Sequence, residues 1–349
     1  MRKNTHPEEF MIKKRVFDRF VGRDIYSYTM TNKNGASATV ITWGGILQSV
    51  KVPDKSGVLA DVVCGFDSVK DYFDDRGSHT GAIIGRYGNR IAGGGFEIDG
   101  TFYKINNNEV GRWHLHGGLA GFNRRVWESE AVENPESDSV ILTLFSPHLD
   151  EGYPGNLNVK VTYTWDDDNV LSIRYEAETD MKTVLNMTNH AYFNLNGYDG
   201  GSVMDQELMI NADTYDDLDD KLIPLGFPTD VTGTAFDFRT AKKIGQPFDH
   251  SFQLQGEIGK MRLAAEAYDP ESGRTMKVYT DLPAVQLYTA EFMNGPTLFK
   301  GGIPQRPLHA FCLETQFSPN TPNRPYMPQC YIDPEHPYFT ETAFEFGTK

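Results

Sequence analysis

The stretch Leu157-Asn-Val-Lys-Val-Thr-Tyr-Thr-Trp165 places an apolar residue at every second position, with Asn158, Lys160, Thr162 and Thr164 between them. The polar run Asp166-Asp-Asp-Asn169 follows. Leu171, Ile173, Tyr175 and Ala177 then alternate with Ser172, Arg174, Glu176 and Glu178. A period of two means that one face is buried and the other wet, so the segment predicts an antiparallel hairpin. The same pattern spreads outward. Ala36 to Trp43 reads as a strand, a Gly44-Gly45 break follows, and a second run ends at Val52. Phe96 and Ile98 lead through Asp99-Gly100 into Phe102 to Ile105, a two-residue hairpin signal. Further strands are expected over 140–145, 262–268, 276–280, 285–289 and 341–346. Helical signals are few: a short helix over 69–76 and one turn within 214–221. No low-complexity linker and no repeat divides the chain, so an all-β domain spanning 11–349 is expected, a multi-stranded sandwich, with 1–10 as a loose extension. Met11 is a candidate second start site.

Composition narrows the function. The chain has 349 residues, with 33 basic against 48 acidic side chains, a net charge of −15. Phosphate backbones and anionic membrane surfaces attract cations, so neither nucleic acid nor membrane is an expected partner. Cys64, Cys312 and Cys330 are far apart and odd in number, which points to buried free thiols in a reducing, cytoplasmic setting. The charged N-terminus lacks an apolar leader core, and nowhere do about 18 apolar residues run together.

Four segments concentrate polar groups beside glycine or aromatics. Gly85-Arg-Tyr-Gly-Asn89-Arg90 lacks the spacing of a phosphate loop. Its Asn-Arg pair can hold adjacent hydroxyls, or Arg90 can serve a structural carboxylate. His114-Leu-His116-Gly-Gly puts two histidines on one strand face, as a metal pair without a third ligand or as hydrogen-bonding groups beside a turn. His190 lies in Asn186-Met-Thr-Asn-His-Ala-Tyr-Phe-Asn194, either functional or simply a satisfied core histidine. Glu314 follows the apolar Phe311-Cys-Leu313, where a carboxylate is either paired or functional. A His, a Glu, an Arg, amides and aromatic faces together suit a sugar, which has a polar rim and apolar faces.

Six motifs occur in one order: G-R-Y-G-N-R-I-A-G-G at 85–94, L-H-G-G at 115–118, T-N-H-A-Y-F-N-L at 188–195, F-D-H-S-F at 248–252, V-Q-L-Y-T at 285–289 and C-L-E-T-Q at 312–316. In these the chain resembles the galactose mutarotases, or aldose 1-epimerases. The resemblance implies a β-supersandwich of large twisted antiparallel sheets and interconversion of the α and β anomers of free aldohexoses. It implies Glu314 as catalytic base and His190 as catalytic acid. His116, Asn89, Arg90, Asp249 and Gln286 would bind substrate. Neither cofactor nor metal is implied, and the state would be a monomer or homodimer. Tyr87-Gly88 stands where some relatives carry another apolar residue and Ala, which predicts an altered rim. Glu314 and His190 are expected to face one cleft, a sugar ring's width apart. Three alternatives are a non-catalytic carbohydrate-binding protein, a hexose-6-phosphate epimerase using cations such as Arg124-Arg125, and a glycosidase, which needs two carboxylates.

Overall fold

In the computed structural model, which describes residues 12–75, 77–109 and 113–349, strands Leu157–Asp166 and Val170–Thr179 pair antiparallel from Leu157↔Thr179 to Trp165↔Leu171. Asp166 closes their turn, its Oδ1 accepting the amides of Asp168 and Val170 at 2.9 and 2.8 Å. Asn169, at φ 60°, takes the left-handed position that such a turn demands. The hairpin forms part of a nine-stranded sheet that continues on one side to Ser137–Ser146 and Glu128–Glu133. On the other side it runs through Tyr338–Thr348, Arg274–Thr280, Arg262–Tyr268 and Glu207–Ile210 to Lys242–Lys243.

A five-stranded sheet, from Lys13–Phe20 to Leu59–Asp61 in chain order, packs on it. Two large polar-tipped rings bridge the pair. Tyr163 Oη donates to the Gly45 carbonyl at 2.7 Å, and Trp165 Nε1 to that of Ala36 at 3.2 Å. Burying the ring while satisfying its polar tip is the condition under which such residues stabilise a core. A second five-stranded sheet is ordered Thr229–Asp230, Ala212–Tyr215, Asp249–Leu254, Ala284–Tyr288, Cys312–Gln316. The largest buried apolar cluster draws on all three sheets, with Val40, Tyr163, Leu287, Leu313 and Phe344 among its members.

The expected helix is real but shorter, Val69–Asp74, with Ser68 as its N-cap. The expected turn of helix within 214–221 does not form. Ala212–Tyr215 is a strand paired with Asp249–Leu254, and the buried Asp216 behind it holds Arg324 at 2.6 Å. Sheet pairing and that ion pair outweigh local propensity there. The proposed extension 1–10 and the alternative start at Met11 lie outside the described residues. Among the described residues, no helix is long and apolar enough to cross a membrane.

Candidate active site

The cleft is built where the second five-stranded sheet meets the short ladders of the glycine-rich motifs. Gln286 faces Glu314 across one pair of strands, and Ser251 faces Gln286 across the next. Asp249, at the start of its strand, accepts from Gln286 Nε2 at 2.6 Å. Opposite, Arg90–Ile91 pairs with His114–Leu115. Asn89 and His116 flank that ladder in left-handed conformations, at φ 65° and 50°. The reversal at His116 corrects the expectation that His114 and His116 share a face. His114 turns inward, to Tyr153 Oη at 2.7 Å and the Asn106 carbonyl at 2.6 Å, and serves the core. His116 turns into the cleft. Gly117 permits this, since a Cβ there would lie 1.8 Å from the Gly85 carbonyl oxygen.

The resulting hollow is about 310 Å³, lined by Asn89, Arg90, His116, His190, Asp249 and Glu314 with an apolar wall of Tyr192, Tyr288 and Phe292. It falls at the small end of ligand clefts. A roomier hollow of about 500 Å³ on strands Ser137–Ser146 and Leu157–Asp166 holds no comparable set of groups, so volume alone does not locate the site. Gln286 lies just behind the lining, buried against Asp249. Tyr87 is fully buried, accepting from the Thr321 amide and donating to the Ser318 carbonyl, and neither it nor Gly88 lines the cleft. The departure at 87–88 therefore changes packing behind the site and leaves the rim alone. Among side chains without an assigned role in the sequence, Glu109 also lines the cleft and grips Arg90, with Arg90 Nε to Glu109 Oε2 at 3.0 Å and Nη2 to Oε1 at 3.3 Å. Asp249 approaches Arg90 Nη1 to 3.7 Å. Arg90 thus does have carboxylate partners, and both are in the site. Trp113 Nε1 also donates to Glu109.

His190 Nε2 lies 3.6 Å from Glu314 Oε1, both residues almost fully buried. That is closer than a ring's width. A base at the C1 hydroxyl and an acid at the ring oxygen need only that reach, because both oxygens are bonded to C1. Loss of hydration drives both groups toward neutrality. Burial pushes the Glu314 carboxyl well above the usual range, helped by Asp249 and opposed by Arg90. It pushes His190 down to about 3, with His79 adding to the effect. His116 is held well below 6.5 by burial and by the neighbouring His79 and His190. Glu314 Oε2 and Gln286 Oε1 are buried without a protein partner.

His116, His190 and Glu314 bring their ligand atoms within 4.8 Å of one another, a set that invites a metal reading. The hydrogen bonding argues otherwise. The Asn89 amide donates to His116 Nδ1 at 3.2 Å, so the neutral ring keeps its proton on Nε2. A ligating histidine needs the reverse, a bare cleft-side nitrogen with its other N–H donated outward. His116 therefore offers an N–H at Nε2 rather than a lone pair.

Residues 26–345 match the family described as aldose 1-epimerase. A galactose mutarotase from Bos taurus is 38% identical over 316 residues, covering 88% of this chain and 90% of its own. An aldose 1-epimerase from Escherichia coli K12 is 36% identical over 332 residues, covering 91% and 94%. Among solved structures, an aldose epimerase homologue from C. elegans superposes with a TM-score of 0.84 at 30% identity, covering 92% of this chain and 98% of its own. A galactose 1-epimerase from Lactobacillus acidophilus gives 0.84 at 27% identity, covering 97% and 99%.

Proposed function

The chain belongs to the aldose 1-epimerase family, and from that premise we propose that Glu314 is the base and His190 the acid of its reaction. The protein is an isomerase that interconverts the α and β anomers of aldoses. The ring must open, the C1–C2 bond must turn, and the ring must close on the other face of the aldehyde. For opening, Glu314 takes the proton of the C1 hydroxyl while His190 Nε2 gives one to the ring oxygen as its bond to C1 breaks. Closure reverses both transfers, so protons balance and no redox partner is called for. Each well-placed acid or base contributes about 10²–10⁴-fold.

One observation carries the assignment: the 3.6 Å approach of Glu314 Oε1 and His190 Nε2 at the floor of a cleft of sugar size. Around it, Arg90, with its fork held by Glu109 and Asp249, would fix the hydroxyl rim. Asn89 and His116 would donate to sugar oxygens, and Gln286 would brace Asp249. Tyr192, Tyr288 and Phe292 offer the apolar wall.

The alternatives fare worse on the same features. A hexose-6-phosphate epimerase would want spare cations at the cleft. Arg125 is engaged with Asp150 at 2.6 Å, and neither it nor Arg124 lines the hollow. A glycosidase would want two carboxylates astride the bond. Glu314 faces a histidine, while Asp249 and Glu109 are turned to Arg90.

We further infer that the domain expected over 11–349 folds as one unit, a reading supported by the apolar cluster shared between the sheets. A cytoplasmic protein acting as monomer or homodimer on free aldohexoses, with no nucleic-acid or membrane partner, fits three buried thiols and the net charge of −15. Polarimetry of freshly dissolved α-D-galactose and α-D-glucose tests the substrate assignment. Faster decay of rotation than in buffer is expected for one or both. Decay no faster than in buffer for both hexoses would refute it.

A further inference from the structure

The acid's second nitrogen has a requirement that the reaction itself imposes. When His190 gives its Nε2 proton to the sugar, the neutral ring left behind must hold its remaining proton on Nδ1. When Nε2 takes the proton back, Nδ1 still keeps its own. Nδ1 therefore needs an acceptor at every stage, in the way that the base of a nucleophile–base pair is oriented by a third group.

The ring is enclosed on its other sides. Tyr192 stacks on it at 5.0 Å and 27°, His116 meets it edge-on at 5.1 Å, and His79 lies at 6.0 Å. At Nδ1 stands the sulfur of Cys312, 3.5 Å away. Cys312 is fully buried and precedes Glu314 by two residues on one strand, so both side chains leave the same face of the sheet. Burial, with Glu314 adding to it, pushes the Cys312 thiol well up, so the sulfur stays a neutral thiol. The other acceptor near that edge is the carbonyl of His190 itself, which already takes the Gly81 amide at 2.8 Å.

We propose that Cys312 is a positioning residue, its sulfur accepting the Nδ1–H of His190 and so reserving Nε2 for proton exchange with the substrate. The proposal rests on His190 being the acid. It also explains how two neighbouring histidines divide their work. The backbone amide of Asn89 fixes His116 with its proton on Nε2, a permanent donor. The sulfur of Cys312 fixes His190 the opposite way, with Nε2 free to gain and lose a proton. A thiol is a weak, neutral acceptor. Unlike a carboxylate, it orients the ring without adding charge that would hold the imidazole protonated.

The test is ¹⁵N NMR of the histidine rings at neutral pH, in the wild type and in Cys312→Ser and Cys312→Ala, beside steady-state polarimetry. Neutral wild-type His190 should carry its proton on Nδ1. Cys312→Ser, which keeps an acceptor, should retain that tautomer and most of kcat. Cys312→Ala should populate the other tautomer and lose about 10-fold in kcat, the low end for removing an orienting partner, with KM little changed. A wild-type ring protonated on Nε2 overturns the proposal. So does an alanine variant with unaltered tautomer and kcat. Should the alanine variant fail to fold, the wild-type and serine tautomers decide alone. The NMR readout needs no turnover, so it separates this proposal from the assignment of the acid, which fails instead if His190→Asn keeps normal kcat.

Discussion

Replacing Glu314 by Gln keeps the shape of the side chain and removes the group proposed to accept the C1 hydroxyl proton. The loss should be about 10²–10⁴-fold in kcat, equivalent to ~3–5 kcal/mol on the barrier. KM should move far less, because Arg90, Asn89, His116 and Asp249, which line the rest of the cleft, are untouched. Stability supplies an independent arm. The folded protein holds the Glu314 proton more tightly than the unfolded chain does, because the carboxyl is buried with Oε2 unpartnered. A carboxyl whose folded pKa is raised stabilises fully below its unfolded value, and that contribution is lost as pH rises through the folded one. Glutamine does not titrate. The Tm of the variant relative to wild type should therefore shift in the variant's favour between pH 5 and pH 8. Polarimetry at saturating galactose or glucose reads the first arm and thermal unfolding at the two pH values reads the second. A variant with near-normal kcat would refute the base assignment and point to Asp249. A wild-type-like kcat together with no pH-dependent Tm difference would also refute the buried, proton-retaining carboxyl.

Arg90→Lys keeps the charge but loses the fork that engages Glu109 and Asp249, so its penalty should fall more on KM than that of Glu314→Gln, which steady-state polarimetry resolves. Glu109→Gln weakens one side of that fork and should raise KM a few-fold with kcat within about threefold, measured the same way. In the free enzyme, kcat/KM should fall little as pH drops from 7 to 4, because burial pushes His190 down to about 3 and holds the Glu314 carboxyl well above its usual range. A tenfold fall per pH unit below 6.5 would mean a hydrated, ordinary histidine.

Period-two alternation made the central hairpin legible, because in a half-buried sheet each side chain's burial follows from its parity alone. The same rule failed at His116. One left-handed residue reverses parity, and nothing in Leu115-His116-Gly117 distinguishes a residue that continues a strand from one that ends it, except the glycine that the Gly85 carbonyl requires. Glu109 was invisible for a different reason. Its meaning lies in Arg90, 19 residues away, and no local spacing encodes that contact. The stretch 214–221 read as a helical turn because the partner of Asp216 is Arg324, 108 residues along the chain. Motif order pointed to His190, Glu314, Asn89 and Arg90, and the fold brings all four to one cleft. Which nitrogen of each histidine carries the proton depended on a backbone amide and a sulfur that only the folded chain brings into place.

The inverted protonation of the central pair bears on why this site suits a reaction that must run equally well both ways. Burial favours the protonated form of Glu314 and the neutral form of His190. On the proposed assignment, that is the state the pair would reach once the ring has opened, since Glu314 would then have taken a proton and His190 given one. The closed sugar needs the opposite distribution, with Glu314 ionised and His190 protonated. The two forms contain the same number of protons and differ by one transfer across the gap between Glu314 Oε1 and His190 Nε2. Arg90, which favours the ionised carboxylate, and Asp249, which opposes it, approach each other to 3.7 Å in the lining of the cleft. A ligand that engages them shifts the balance between the two forms. The bound closed ring and the bound open chain can then each meet a pair in the form it requires, without exchanging protons with solvent in between.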